Sequence, residues 1–133
     1  MIGITLTLRL IQNEKISAVL FTVGSSMLIV SAHLDTIIEI RKNQGIQIRF
    51  VPSPSQITAV SFWILLVGSL IGALTATIRL SQLKRRRFLR VTTEPLLPSF
   101  WIFAGSWLLF IANIALVIGT QQKAESGEEI TIV

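Results

Sequence analysis

Three long apolar stretches, separated by charged segments, constrain this chain more than any other feature. The first covers residues 16–34, with His33 as its only ionisable residue, and the stretches 57–78 and 96–119 carry no charge. A helix needs about 20 such residues to cross a hydrocarbon core roughly 30 Å thick. Backbone groups in lipid must be satisfied within the segment itself, so each stretch is predicted to be a helix. The sequence therefore predicts an all-α transmembrane protein with three spans.

Composition agrees with this interpretation and limits the chemistry. Of the 133 residues, 51% are hydrophobic and 14% are charged, whereas soluble domains carry about 25% charged residues. Too little chain remains outside the spans for a soluble domain. We therefore predict one membrane domain, residues 1–133, with spans at about 16–38, 57–79 and 97–120. Cysteine is absent, which excludes disulfides and thiolate chemistry. The first span also has the basic and apolar parts of a secretory signal, but it is long for one, and we treat it as retained.

The positive charge is concentrated between the second and third spans. This basic loop, residues 79–98, has six cations against the single Glu94, which equals the net charge of +5 of the whole chain. Cytoplasmic loops carry the excess of Lys and Arg, so we predict an integral membrane protein with a cytoplasmic N-terminus and with the acidic tail, residues 121–133, on the opposite side. Bacterial inner and organellar membranes are not distinguished. The cations predicted to contact anionic lipid are Arg79, Lys84, Arg85, Arg86, Arg87 and Arg90.

Other partners for the basic loop remain open. An acidic protein partner is one alternative. Nucleic acid is a weaker one, because the loop lacks the aromatic platforms that single-strand binding uses. The predicted partners are therefore membrane lipid and other membrane subunits, and a small-molecule substrate is not indicated.

Alternating residues outside the spans predict short strands. Residues 37–51 alternate apolar and polar side chains around a polar loop that ends in Gly45, the pattern of a β-hairpin. An isolated hairpin is marginal in water, so we expect its apolar side to contact a partner through Ile46, Ile48 and Phe50. The tail residues 129–133 could supply a third strand. The alternating run 2–11 is interpreted as either a strand or an interfacial segment.

The second span contains the clearest packing motif. Gly68, Gly72 and Ala76 repeat every four residues and form a ridge that allows close approach of another helix. Glycine is also simply frequent in membrane helices, which is the alternative explanation. In the third span, Asn113 is the one strongly polar residue, and we expect it to form a hydrogen bond between helices.

The sequence contains no signal for catalysis. His33 is the only histidine; it could be a proton relay or a cofactor ligand, but a histidine at the membrane interface that reaches water or headgroups is the favoured explanation. One histidine cannot form a metal site from protein ligands alone. No catalytic residue, cofactor or metal site is predicted.

Three functional hypotheses follow. The first is a non-catalytic accessory or assembly subunit that stabilises a larger membrane protein complex. The second is a homo-oligomeric pore or small transporter, including a phage-type lysis protein. The third is an enzyme or cofactor-binding subunit centred on His33.

Overall fold

Three long helices make up the part of the chain that the structure describes. The structure is a computed structural model that describes residues 2–50, 52–90 and 93–132, with side chains for 5–50, 52–90 and 93–125. The helices are α1 (Ile2–Asn43), α2 (Pro54–Phe88) and α3 (Leu97–Ile132). All three are long and apolar enough to cross a membrane, and the prediction of a membrane protein with three helices is confirmed at this level.

The helices are longer than the spans predicted inside them. They contain 42, 35 and 36 residues, which corresponds to lengths of about 63, 53 and 54 Å. A hydrocarbon core is only about 30 Å thick. Each helix therefore extends beyond the bilayer at one or both ends.

The predicted β-hairpin at 37–51 is wrong, because its first strand is the last part of α1. Helix α1 ends in a Schellman motif: the N–H of Ile46 donates to the carbonyl of Arg41 at 2.8 Å, and the N–H of Gly45 donates to Lys42 at 3.0 Å. Gly45 has a φ of 79°, which is the left-handed conformation that this cap requires. Gly45 therefore caps a helix instead of turning a hairpin. Residues 46–50 that follow are irregular.

The other strand assignments fail for the same reason. The alternating run 2–11 lies inside α1, and residues 129–132 lie inside α3; Val133 lies outside the described residues. Short alternating runs are ambiguous between strand and helix when they continue a long apolar segment. Residues 2–50, 52–90 and 93–132 contain no β-strand, so Ile46, Ile48 and Phe50 do not form a partner-contact strand.

Helix α2 begins at a well-defined cap. Ser53 is the N-cap: its side chain accepts a hydrogen bond from the Gln56 N–H at 3.4 Å, and its own N–H donates to Gln56 Oε1 at 3.0 Å. Pro54 occupies the first helical turn, where its missing N–H costs nothing. Pro54 therefore starts a helix directly after the irregular connection from α1.

Helix α2 is the centre of the bundle. It packs against both α1 and α3, whereas α1 and α3 make no contact with each other in the described parts of the chain. The buried residues of α1 are Leu10, Ser17, Gly24 and Ser31, each seven residues from the next. A seven-residue repeat is the spacing of helices that coil around each other with a left-handed twist.

Candidate functional site

The contact between α1 and α2 is made by small residues from both helices. The Ser17 hydroxyl donates a hydrogen bond of 2.8 Å to the carbonyl of Gly68. A Cβ on Gly68 would lie 3.2 Å from Leu20 Cβ, and one on Gly72 would lie 3.3 Å from Ser17 Oγ. The predicted ridge of small residues on α2 therefore faces α1 of the same chain. Ala76, its third member, is buried as well.

Gly24 is the closest approach in this contact, and the sequence pattern did not reveal it. A Cβ placed there would lie 2.8 Å from Leu65 Cγ and 3.2 Å from the carbonyl oxygen of Ser61. Gly24 has no glycine partner four residues away. Its signal is the seven-residue spacing that it shares with Ser17 and Ser31, and a search for a heptad of small residues would have found it.

Ser31 closes the α1–α2 contact at the other end. Its hydroxyl donates to the Pro54 carbonyl at 2.8 Å and lies 2.6 Å from Thr58 Oγ1. Hydrogen bonds of this kind between membrane helices contribute about 0.6 kcal/mol on average. Ser17 and Ser31 therefore fix the register of α1 on α2 near the two ends of the apolar seam.

The contact between α2 and α3 includes one hydrogen bond between side chains. Trp107 Nε1 donates to Thr77 Oγ1 at 2.8 Å. On the same side of α3, Asn113, Val117 and Ala124 are buried. Asn113 is 4% exposed, and its Nδ2 has no hydrogen-bond partner among the described residues. Asn113 is thus buried in α3, and the expected hydrogen bond from its amide nitrogen is not present among the described residues.

An ion pair joins α1 and α2 at the end of the apolar region. Arg79 Nε donates to Glu14 Oε1 at 2.5 Å, with the two side chains 41% and 46% exposed. Among the described side chains, Arg79 is thus the member of the predicted lipid-binding set whose charge is offset by a carboxylate. We call the end of the bundle formed by the last turns of α2 and the first turns of α3 the basic end (residues 79–90 and 97–102).

The remaining cations of the basic end are exposed on the surface of the bundle. Lys84, Arg85, Arg86 and Arg87 lie in the last turns of α2 and are exposed, and within the described residues they make no ion pair. Arg90 is exposed just past the helix, at a φ of 56°. Trp101, in the first turns of α3, is 66% exposed. The arrangement places cations and an exposed aromatic ring at the same end.

The outer face of α1 carries polar side chains within the span, among exposed apolar residues such as Ile29 and Val30. Ser26 follows Gly24 by two residues, and so points about 200° around the helix from the contact with α2. Ser26 donates to the carbonyl of Thr22 at 2.8 Å, and Thr22 donates to Ala18 at 2.9 Å. We call the exposed polar side chains that share this face the hydroxyl stripe: Thr22, Ser25, Ser26, His33 and Thr36.

The described residues do not bring catalytic groups together. Among them, no group of three or more His, Cys, Asp or Glu side chains could hold a metal ion, and His33 is exposed on the outside of α1. The residues expected to contact a partner from the hairpin lie apart from both helix contacts: Ile46 is exposed, and Ile48 and Phe50 are half-buried in the α1–α2 connection.

Comparison of the chain with known protein families, with characterised proteins and with solved structures gives no match.

Proposed function

We propose that this chain is a non-catalytic accessory or assembly subunit of a larger membrane protein complex. The observation that carries the proposal is the hydroxyl stripe on the outer face of α1. Serine, threonine and histidine side chains in membrane helices commonly lie against other helices, where they can form hydrogen bonds. This stripe faces away from α2, and in the described residues α3 does not contact α1. A helix of another subunit is therefore the expected neighbour.

The low burial of the outer helices supports the same proposal. In the apolar windows of α1 and α3, 17% and 11% of the residues are buried, compared with 33% in α2. Two flanking helices that contact only a central one leave most of their surface for lipid or for partners.

A pair of substitutions in the stripe tests the proposal. Ser25→Leu with Ser26→Leu enlarges two exposed side chains and removes their hydroxyls, and neither residue touches α2. We expect the variant to insert and fold normally but to lose its partner subunits during purification in mild detergent. The matched control is Ala112→Leu with Ala115→Leu, which enlarges two exposed small residues of α3. Equal partner recovery from wild type, stripe variant and control would contradict the proposal.

A homo-oligomeric pore or small transporter is the second candidate, because the same stripe could line a path between copies. If the chain forms such a pore or transporter, the purified assembly would contain only this chain, and the stripe variant would reduce ion or solute flux in proteoliposomes. An accessory subunit predicts different chains in the assembly and no flux from this chain alone. The composition of the purified assembly therefore separates the two.

Orientation follows from the charge of the basic end. We expect residues 79–90 on the cytoplasmic side, since Lys and Arg near the ends of spans are retained there. In a bundle of three antiparallel spans, the N-terminus then lies on the same side and the acidic end of α3 on the other.

A further inference from the structure

We propose that the basic end binds the anionic headgroups of phospholipids in the bilayer that the chain spans. The first support is charge complementarity. Lys84, Arg85, Arg86 and Arg87 are exposed, and they have no ion-pair partner within the described part of the chain. Arg79 is different, because Glu14 already neutralises it. Each Lys or Arg near an anionic membrane surface contributes about 1 kcal/mol of attraction.

The depth of the basic end supports lipid as the occupant. The Trp107–Thr77 hydrogen bond fixes the register of two antiparallel helices. Trp101, six residues before Trp107, is therefore level with Leu83, six residues after Thr77. Leu83 lies five residues past Ile78, the last residue of the charge-free stretch, or about 8 Å along the helix. The headgroup layer extends roughly 5–8 Å beyond each side of the hydrocarbon.

Measured from the end of the charge-free stretch of α2, Lys84 thus lies at the level of the headgroups, and Trp101 lies at the same level although the charge-free stretch of α3 begins five residues before it. Tryptophan is enriched at this depth, because its ring is apolar and its N–H is polar. Long basic side chains at the ends of spans also extend along the lipid to place their charge at the phosphates. The exposed surface of Trp101 continues into Ile102, Leu108 and Leu109 of α3. An acidic protein would have to displace lipid from this continuous apolar surface.

The test measures which lipids surround the full-length chain. The chain is reconstituted in phosphatidylcholine bilayers that contain either spin-labelled phosphatidylglycerol or spin-labelled phosphatidylcholine, and the motionally restricted fraction of each label is measured by electron paramagnetic resonance. Wild type is expected to prefer the anionic label. Arg85→Gln with Arg86→Gln should weaken this preference, by up to roughly five-fold for each charge, the equivalent of about 1 kcal/mol.

Two further variants keep the test decisive. Lys84→Gln with Arg87→Gln should reduce the preference in the same way, even if the first pair fails to reconstitute. Arg41→Gln with Lys42→Gln removes two exposed cations at the end of α1, where Asp35 and Glu39 already balance them, and should leave the preference unchanged. High salt should reduce the wild-type preference, because the Debye length falls to about 3 Å at 1 M.

Three results would overturn the proposal. First, wild type could show no preference for the anionic label. Second, the Arg41 and Lys42 control could reduce the preference as much as the test variants do, which would indicate that the net charge of the chain, and not the basic end, attracts the anionic lipid. Third, the preference could survive in the test variants while a co-purifying subunit is lost. The basic end would then bind an acidic protein instead of lipid.

Discussion

Gly24 is the residue on which the α1–α2 contact depends most. A methyl group there would meet the side chain of Leu65 at 2.8 Å and the backbone oxygen of Ser61 at 3.2 Å. A side chain can rotate away, but the Ser61 oxygen belongs to the helix and cannot move alone. At Gly72 the nearest atom is only the Ser17 hydroxyl, at 3.3 Å. The space around an added methyl group therefore differs between these small residues, and the position with the least space, Gly24, lies on α1.

We predict that Gly24→Ala destabilises the folded protein by about 1–3 kcal/mol, the usual cost of overpacking a close contact. Gly72→Ala should cost less, and Gly72→Leu more than either, because its branches must displace α1 as a whole. The free energy of unfolding is measured for the purified chain in mixed micelles by titration with a denaturing detergent.

Gly105→Ala is the matched control for Gly24→Ala. Gly105 lies in α3 with no atom within 4 Å of an added Cβ, so the substitution should be neutral or should stabilise the helix by up to about 1 kcal/mol. If Gly24→Ala proved as harmless as Gly105→Ala, the two helices would not be as close as the structure places them.

At this scale the sequence predicted part of the site. Gly68, Gly72 and Ala76 stand out because they repeat every four residues; the two glycines lie in the α1–α2 contact, and Ala76 is buried. Gly24 escaped notice because its companions, Ser17 and Ser31, are seven residues away and are polar. The sequence also could not predict that Asn113 Nδ2 has no hydrogen-bond partner among the described residues. A hydrogen bond between helices depends on their relative register, which one sequence does not give.

The incorrect prediction of a β-hairpin concerns the C-terminal end of α1. Residues 41–46 read as a polar turn with a glycine, and both a hairpin and a helix C-terminus use such a glycine. The deciding information is the length of the preceding helix. Because α1 continues without interruption through residues 37–43, its carbonyls need the Schellman bonds from Gly45 and Ile46. The short alternation of apolar and polar residues is weaker evidence for a strand than the uninterrupted helix is for a helical end.

The hydrogen bond between Trp107 and Thr77 fixes how α3 lies along α2. We predict a coupling energy of about 0.6 kcal/mol, and at most about 1.7 kcal/mol, in a double-mutant cycle of Trp107→Phe and Thr77→Val. Thr77 also donates to the Ala73 carbonyl, so its single substitution loses more than the contact with Trp107. The cycle cancels that loss, since it is present in both Thr77 variants.

Phe110 provides the control for this cycle. It contacts the ring of Trp107 at a centroid distance of 5.7 Å but lies on the same helix. Substitution Phe110→Leu combined with Thr77→Val should therefore show no coupling within error. Additive effects of Trp107→Phe and Thr77→Val would mean that the bond does not hold the register of α3, and the depth assigned to Trp101 would lose its basis.

The whole molecule shows where prediction from one sequence ends. The three apolar stretches were sufficient to predict three membrane helices, because lipid leaves few alternatives for a backbone. They did not indicate that α2 is central, or that α1 and α3 flank it without touching in the described residues. That arrangement depends on which faces carry small residues, and α2 carries them toward both neighbours.

The charge pattern and the helix order together predict the orientation of the chain. Gln82 lies in α2 four residues past Ile78, at the basic end, and position 126 lies in the last part of α3, beyond the charge-free stretch of that helix.

Since the chain lacks cysteine, the single substitutions Gln82→Cys and Ser126→Cys each provide one label site. In sealed inside-out vesicles, a membrane-impermeant maleimide should label the Gln82→Cys variant at once and the Ser126→Cys variant only after detergent is added. Right-side-out vesicles should give the reverse, because Lys and Arg near span ends are held on the cytoplasmic side. Labelling of both variants from the same side would mean that α3, the helix between the two positions, does not cross the membrane. That helix would then have to lie along the membrane surface, with its exposed aromatic residues Phe100 and Trp101 at its start.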